Sequence, residues 1–492
     1  MIRLFIYISL SLNLFASDIN ITTQTPLNLS VFDINMSNID NNETNVSEQL
    51  SGLSEDSLFK AKREDGFTIY DAIDRAMLIN PKIAASHQVV IQKQQNLVKS
   101  EAGHLPVIKI SGDIARERRT NKADDTNPES NSQVPLVQVY NYKKTDLFFT
   151  LTENLWSGGS IEQNIDQEQA NLRASIHDYR DKLESLILEV ITAYFNVVYS
   201  EIALNISEKN MKNYEKILKI VTIKERNGAA TKGDVNYIIA NVDNAKTELI
   251  QTQSALSDAM ANYVYLLDTD NKEDLPFQTV SPLYLVDLNT SLKNADKYNA
   301  KMLTQREYIN AARLAYHASD GNFHPKVDFS INAESKNEFD IGIGEREKVN
   351  AMITFSYNLY NGHKDEANSI KLLAKMKERN YLYQDMKRKL DFDIKVIHRS
   401  IRSLDQSLAL TQSEVIAARK VVKSYWVAFE HGTQDLQALQ LAQRNLNRAE
   451  QDYAKYKKNL LINNFQFMKQ TGVLIKYLEL PYKEHTKHVT IY

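Results

Sequence analysis

Cysteine is absent from all 492 residues. That excludes disulfides, thiolate metal sites, cysteine nucleophiles and cysteine-borne lipid anchors together. Glycine and proline are scarce, 14 and 9 residues, too few for a sheet-rich chain with many tight turns and in keeping with long helices. Neither sign of charge dominates: the formal net charge is −3, so neither nucleic acid nor an acidic membrane surface is implied as a partner. Long apolar runs are missing too. Beyond the N-terminus the longest, "VITAYFNVVYS" at 190 to 200, falls short of a bilayer span and sits inside a charged amphipathic pattern. No GxSxG, HExxH, phosphate-cradling glycine loop or GxGxxG occurs, and "GIGERE" at 342 to 347 has no helix after it. "HTKH" at 485 to 488 pairs two histidines without a carboxylate and reads as solvent-exposed. The chain therefore carries no catalytic residue, metal site or cofactor signature, and is expected not to be an enzyme.

What remains is globular in composition, 43% apolar and 25% charged. Residues 1–17 have the layout of a secretory signal, with Arg3, an apolar run from Leu4 to Phe15, then Ala16 and Ser17. Residues 18–65 are rich in Asn, Ser, Thr and Asp without periodicity and read as a flexible polar arm. A helical pattern from Phe67 to Ala102, broken near Asn80 and Pro81, then gives way to period two. Ile108, Ile110 and Ile114 alternate with Lys109, Ser111 and Asp113; Leu147, Phe149, Leu151 and Leu155 alternate with Asp146, Thr150, Thr152 and Asn154. This predicts a hairpin over 106–157 with one apolar and one polar face, its strands about 9–11 residues long, the length that crosses a bilayer when tilted. Phe148 and Glu153 break the alternation, and "RERR" at 116 to 119 opens a polar loop, either a phosphate-binding run or simply solvated. A long helix follows from Ser160 to about Arg226, a glycine stop at Gly228 and a second helix to Leu267.

The plan then repeats. After a linker at 268–282, a second unit spans 283–472 with a cleaner hairpin at 325–361, leaving 473–492 as a tail. "INPK" at 79 and "YNAK" at 298 are 219 apart, as are Pro106 and Pro325; Gly158 and Gly362 are 204 apart, as are Gly228 and Gly432. The difference of 15 is confined to the hairpins, where loops tolerate it. Each long helix is matched in length by two shorter ones that stack end to end and shield it. Four amphipathic strands cannot close a barrel alone, and in lipid every strand edge must be paired, so several chains must share one barrel.

The duplicated junctions "NLWSGG" (154–159) and "NLYNGH" (358–363), the "AYFNVVYSE" segment and the tips "RNGAATKGDV" and "EHGTQDLQALQLAQRNLNRAE" resemble the TolC family of outer-membrane efflux and secretion channels over roughly 66–472. The resemblance implies a mostly α fold with membrane β: a homotrimer with a 12-stranded outer-membrane β-barrel continuous with a 12-helix periplasmic α-barrel, four strands per chain from the internal duplication. It implies a passive exit duct of a Gram-negative export system, serving type I protein secretion or small-molecule efflux. The implied partners are a periplasmic adaptor and, through it, an inner-membrane ABC or proton-driven transporter, with outer-membrane lipid around the barrel and no nucleic acid. Gly158, Gly159 and Gly362 let the backbone turn from strand to helix. Trp156 and Tyr360 are candidate membrane-interface anchors, or ordinary junction packing. The tips carry the gate and the adaptor contact: Gly228, Ala229 and Ala230 on one side, Gly432 and Thr433 on the other. Asp234 matches a gate aspartate, or serves as a helix N-cap. Its partner positions fall on Phe429 and Gln434, so no charge pair forms, with Asp435 the acidic substitute; the family's acidic ring positions fall on Ala438 and Leu441. The rival from another class is an elongated trimeric coiled-coil adhesin or periplasmic spacer, which needs no polar stripe opposite an apolar one.

Overall fold

The computed structural model describes residues 69–123, 136–268, 287–339 and 344–478. The expected signal sequence, polar arm, almost all of the linker, and "HTKH" lie outside the described residues.

Two helices, α1 (Ile69–Ile79) and α2 (Pro81–Glu101), open the chain, followed by strands β1 (Val107–Ala123) and β2 (Leu136–Trp156). Next come α3 (Ser160–Arg226) and α4 (Lys232–Leu267). The second half repeats the order: α5 (Leu288–Tyr298), α6 (Ala300–Asp320), β3 (Lys326–Phe339), β4 (Gly344–Ser356), α7 (Lys364–Glu430) and α8 (Leu436–Gln470), with a short α9 (Leu474–Tyr477) at the end. The long helices α3 and α7 have 67 residues each, about 100 Å at 1.5 Å per residue. The same cap serves both halves at the first break. Asn80 accepts from the Lys82 amide, with Pro81 in the first turn, and Asn299 accepts from the Met302 amide.

Helices pack side by side as four columns: α2 and α4 in one, α3 in the second, α6 and α8 in the third, α7 in the fourth. Within the composite columns, orphaned carbonyls at one helix end take donors from its partner. Arg75 of α1 donates to the carbonyls of Leu267 (3.0 Å) and Asp268 (3.1 Å) at the end of α4. Asn299 donates to the Gln470 carbonyl (3.0 Å) at the end of α8. There Gly472, at φ +74°, is so close that a Cβ would lie 2.4 Å from the Tyr298 carbonyl. The amides of Gly472 and Val473 close the helix by donating to Lys469 and Met468 (both 3.0 Å). This turn folds the chain back, burying Val473, Leu474 and Leu478. These three belong to the expected tail, whose residues 479–492 lie outside the described residues.

The core lies between α3 and α8. Ile187, Ile191, Tyr194 and Phe195 of α3 are fully buried, as are Phe465 and Phe467 of α8, with the Phe195 and Phe465 rings 6.1 Å apart. Counted over 18 residues, α3 does contain a window apolar enough to cross a bilayer, at mean hydropathy 1.4, longer than the "VITAYFNVVYS" run suggests. Just over half of that window, 56%, is buried against the neighbouring helices, since an apolar helix surrounded by other helices meets the same requirement as one in lipid.

The strands form one antiparallel sheet in the order β1-β2-β3-β4. They have 17, 21, 14 and 13 residues, longer than the 9–11 expected. "RERR" belongs to β1 and not to a loop. The backbone ladder does not depend on side-chain polarity, so pairing continues into water beyond the apolar band.

Candidate functional site

The register sorts the two faces of the sheet row by row. Ile108 pairs with Leu151, Leu151 with Ile331, and Ile331 with Ala351; the next row is Ile110, Phe149, Ala333 and Val349. Val349, Ile353 and Phe355 stand about two-thirds exposed, and Ile114 is 88% exposed. The opposite face carries Lys109, Thr150, Asn332 and Asn350, then Ser111, Phe148, Glu334 and Lys348, then Asp113, Asp146, Lys336 and Arg346. Phe148 is accommodated here by the Lys336 ammonium, 5.6 Å from its ring centroid. Buried Asp146 pairs with Lys144 (3.0 Å). Glu153 sits on the apolar face opposite Phe329, at the end nearest the helices. Since β1 and β4 each pair on one side only, the sheet leaves two open edges.

At the strand-to-helix junctions Gly158, Gly159 and Gly362 all take positive φ, 66°, 79° and 73°. Gly158 is the constrained one: a Cβ would lie 2.6 Å from His324 Cβ and 2.9 Å from the Gly321 carbonyl, so the first junction is pressed against the turn between α6 and β3. His363 occupies the position matching Gly159 and is also left-handed, at φ 62°. Trp156 ends β2, half-exposed, its ring meeting His324 edge-on at 6.0 Å. Tyr360 is not its structural equivalent. β4 stops at Ser356, which leaves Tyr360 72% exposed in the connection, against the His363 ring.

The helix tips are built alike. Gly228 and Gly432, at φ 74° and 75°, close α3 and α7. The Gly228 and Ala229 amides donate to Glu225 (2.9 Å) and Lys224 (2.8 Å); the Gly432 and Thr433 amides donate to Phe429 (3.2 Å) and Ala428 (2.9 Å), and Gln434 also donates to Ala428 (3.2 Å). The helices then restart at Thr231 and Asp435, 204 positions apart. Here Asp234 departs from the N-cap expectation. It is not the N-cap, because Thr231 holds that place; Asp234 stands at the third position of a capping box and accepts from the Thr231 amide and hydroxyl, both at 2.8 Å. Those bonds hold its carboxyl below the usual carboxylate range, and its hydrogen bonds do not run to Phe429 or Gln434. Asp435 caps α8 by accepting from the Ala438 amide (2.7 Å). Both acids are spent on orphan amide groups, which are strong local donors.

What joins the two tips is Phe429. Only 5% exposed, it packs with Tyr214, Ile217, Val221, Ile238 and Leu439, and Ala230 and Trp426 lie at the edge of this cluster. Lys224 of α3 holds it twice: its ammonium lies 4.1 Å from the ring centroid and donates to the Phe429 carbonyl. Lys224 escaped the sequence reading. Its one signal was position, since a lysine four residues before Gly228 suits the negative end of a helix. Further along, a polar ladder crosses α3, α4 and α8. Asn210, Asn447 and Gln451 donate to Glu248, and Gln443 donates to Asn210 (3.2 Å).

The outer membrane efflux protein family matches this chain over residues 72–266 and 292–473. The chain is similar to Protein CyaE of Bordetella pertussis, 19% identical over 61% of this chain and 62% of CyaE. It is also similar to Outer membrane protein TolC of Escherichia coli K12, 22% identical over 68% of this chain and 70% of TolC. Among solved structures it shares its fold with CusC, at TM-score 0.71 and 14% identity, covering 84% of this chain and 96% of that one. The Campylobacter jejuni CmeC outer membrane channel superposes at TM-score 0.70 and 14% identity, over 88% and 94%.

Proposed function

Because the chain belongs to the outer membrane efflux protein family, we propose that it is the outer-membrane duct of an export assembly, conducting passively what a partner transporter drives. One observation carries the proposal: a four-stranded sheet with a continuous apolar face, a charged opposite face and two open edges. In lipid such edges must be paired, and only further copies of the sheet supply partners whose apolar faces continue the same band. Three copies would give twelve strands around a polar lumen, with the helical columns continuing as a tunnel on the periplasmic side and the hairpins facing outward. A lipid-free adhesin or spacer gains nothing from the apolar face and would aggregate through it.

In this reading the helix tips form the constriction and the docking surface for a periplasmic adaptor, which links the duct to an inner-membrane ABC or proton-driven transporter. Substrates are then either secreted proteins or small molecules. The constriction is held by packing around Phe429 and by Lys224, with Asp234 and Asp435 acting on their own helix starts. Planar-bilayer recording on the purified, assembled protein tests the reading. Stepwise conductance from a small closed-state value is expected. A preparation that assembles and inserts but never conducts would refute it.

A further inference from the structure

We propose that Arg116, Arg118 and Lys143 form a binding surface for the phosphate groups of outer-leaflet lipid A. The inference rests on the membrane orientation proposed above. Strand alternation splits the "RERR" run. Arg116 and Arg118 lie on the face of Ile108, Ile110 and Ile114, while Glu117 falls on the opposite face. There Glu117 accepts from the Tyr142 hydroxyl (2.6 Å) and pairs with Lys144 (3.5 Å). The carboxylate between the two arginines is therefore unable to neutralise them.

The register adds a third cation to the patch. Lys143 stands directly opposite Arg116, Asn141 opposite Arg118 and Thr145 opposite Ile114. Arg116, Arg118 and Lys143 are all exposed. None of the three makes an ion pair among the described residues. Like charges directly across an antiparallel pair destabilise it, so this arrangement stands to gain from an external anion. Its height selects which anion. Ile114 is the last apolar outward residue of β1, and Arg116 is the next outward one, about 7 Å further along the strand. On a tilted strand that rises from the edge of the hydrocarbon to the headgroups. Guanidinium groups favour phosphate because two parallel N–H donors match two of its oxygens, and the surface is continuous with the apolar band that meets the acyl chains. A rival occupant exists in a neighbouring copy. Glu347 lies outward on β4, the opposite sheet edge, in the row of Ser335, Leu147 and Gly112, and ring closure would bring a β4 edge toward β1.

Assembled full-length protein in detergent is titrated with diphosphoryl lipid A, with chemically dephosphorylated lipid A and with phosphatidylglycerol, and retained lipid is counted by native mass spectrometry. The wild type should retain diphosphoryl lipid A at least about tenfold better than the triple variant R116Q/R118Q/K143Q, each cation near an anionic surface counting for roughly fivefold. R116K/R118K/K143R should keep most of the retention. Conductance and assembled mass, measured on the same samples, report separately on the duct reading. A triple variant that still conducts and still retains the lipid overturns this inference alone. Equal retention of the dephosphorylated lipid or of phosphatidylglycerol by the wild type also overturns it. So does loss of assembly in both the triple variant and Glu347→Gln, which would assign the cations to the subunit seam.

Discussion

One ammonium group joins the two helix tips, and its loss has a readable consequence. Lys224 gives Phe429 a cation–π contact and a charged hydrogen bond, together about 2 kcal/mol in a half-buried setting. Lys224→Met keeps the aliphatic stem and removes both. The expected outcome is more frequent opening in bilayer recordings with the fully open conductance unchanged. Asp234→Asn, which disturbs a helix start alone, should leave the open probability as it was. A second residue sets a pH dependence. Glu184 of α3 is 1% exposed and pairs with Arg180 (3.0 Å), yet burial pushes its carboxyl up to about 7, with Asp181 adding to the rise and Arg180 and Lys469 opposing it. A carboxyl that holds its proton more tightly when folded contributes stability that is present in acid and lost as the pH rises from its unfolded value of 4.5 to about 7. The loss is at most about 3 kcal/mol per chain. Thermal midpoints followed by helical circular dichroism should fall between pH 5 and pH 7.5 in the wild type and stay level over that interval in Glu184→Gln. Parallel slopes would show that Glu184 is ionised throughout.

Among the elements, the helices were legible because their signals are local. Glycine stops and a sustained apolar stripe placed α3 at Ser160–Arg226, and the offset of 204 placed α7 with it. Strands were legible only across their apolar band. Outside it, polar side chains leave no mark of a ladder that backbone pairing maintains, so "RERR" read as a loop. Tyr360 was misplaced because sequence offset transfers position along the chain but not where β4 ends. Asp234 was misassigned because either of two residues three apart could have capped α4, and the backbone decides which. The element joints also differ in ways sequence hides. Gly432 and Gly472 look alike, yet a Cβ on Gly432 meets nothing within 4 Å while one on Gly472 strikes the Tyr298 carbonyl. Gly432→Ala should cost about 1 kcal/mol, the left-handed strain alone. Gly472→Ala adds the collision between α8 and the α5–α6 break and should cost at least about 3 kcal/mol. Denaturation of the two variants side by side measures the difference, and equal midpoints would mean that the stacked column yields at its joint.

At the scale of the molecule the outer columns are unfinished. Along α7, Ile370, Tyr381 and Phe392 are 67%, 68% and 60% exposed, and Leu410 and Val421 are 73% and 41% exposed. Their spacings of 11, 11, 18 and 11 residues are whole numbers of helical turns, so the five form one stripe. At the other side of the chain α4 exposes Ile239 and Ile250, again 11 apart, and Tyr265. In the proposed duct these two different apolar stripes on opposite columns, like the two different sheet edges, would meet head to tail and close a ring, where a face-to-face dimer would pair each stripe with itself. A charge in the middle of the α7 stripe discriminates assembly from folding, because Leu410 touches solvent in the single chain and so contributes little to its own core. Leu410→Asp should cost the isolated subunit less than about 0.5 kcal/mol, but in a ring it loses about 2 kcal/mol of burial at each seam and strands a desolvated carboxylate there. Light scattering in detergent should then report single subunits with undiminished helix content, and conductance should vanish. An assembled, conducting Leu410→Asp protein would place the α7 stripe elsewhere, against lipid, adaptor or solvent, and the ring would have to close through the sheet edges alone.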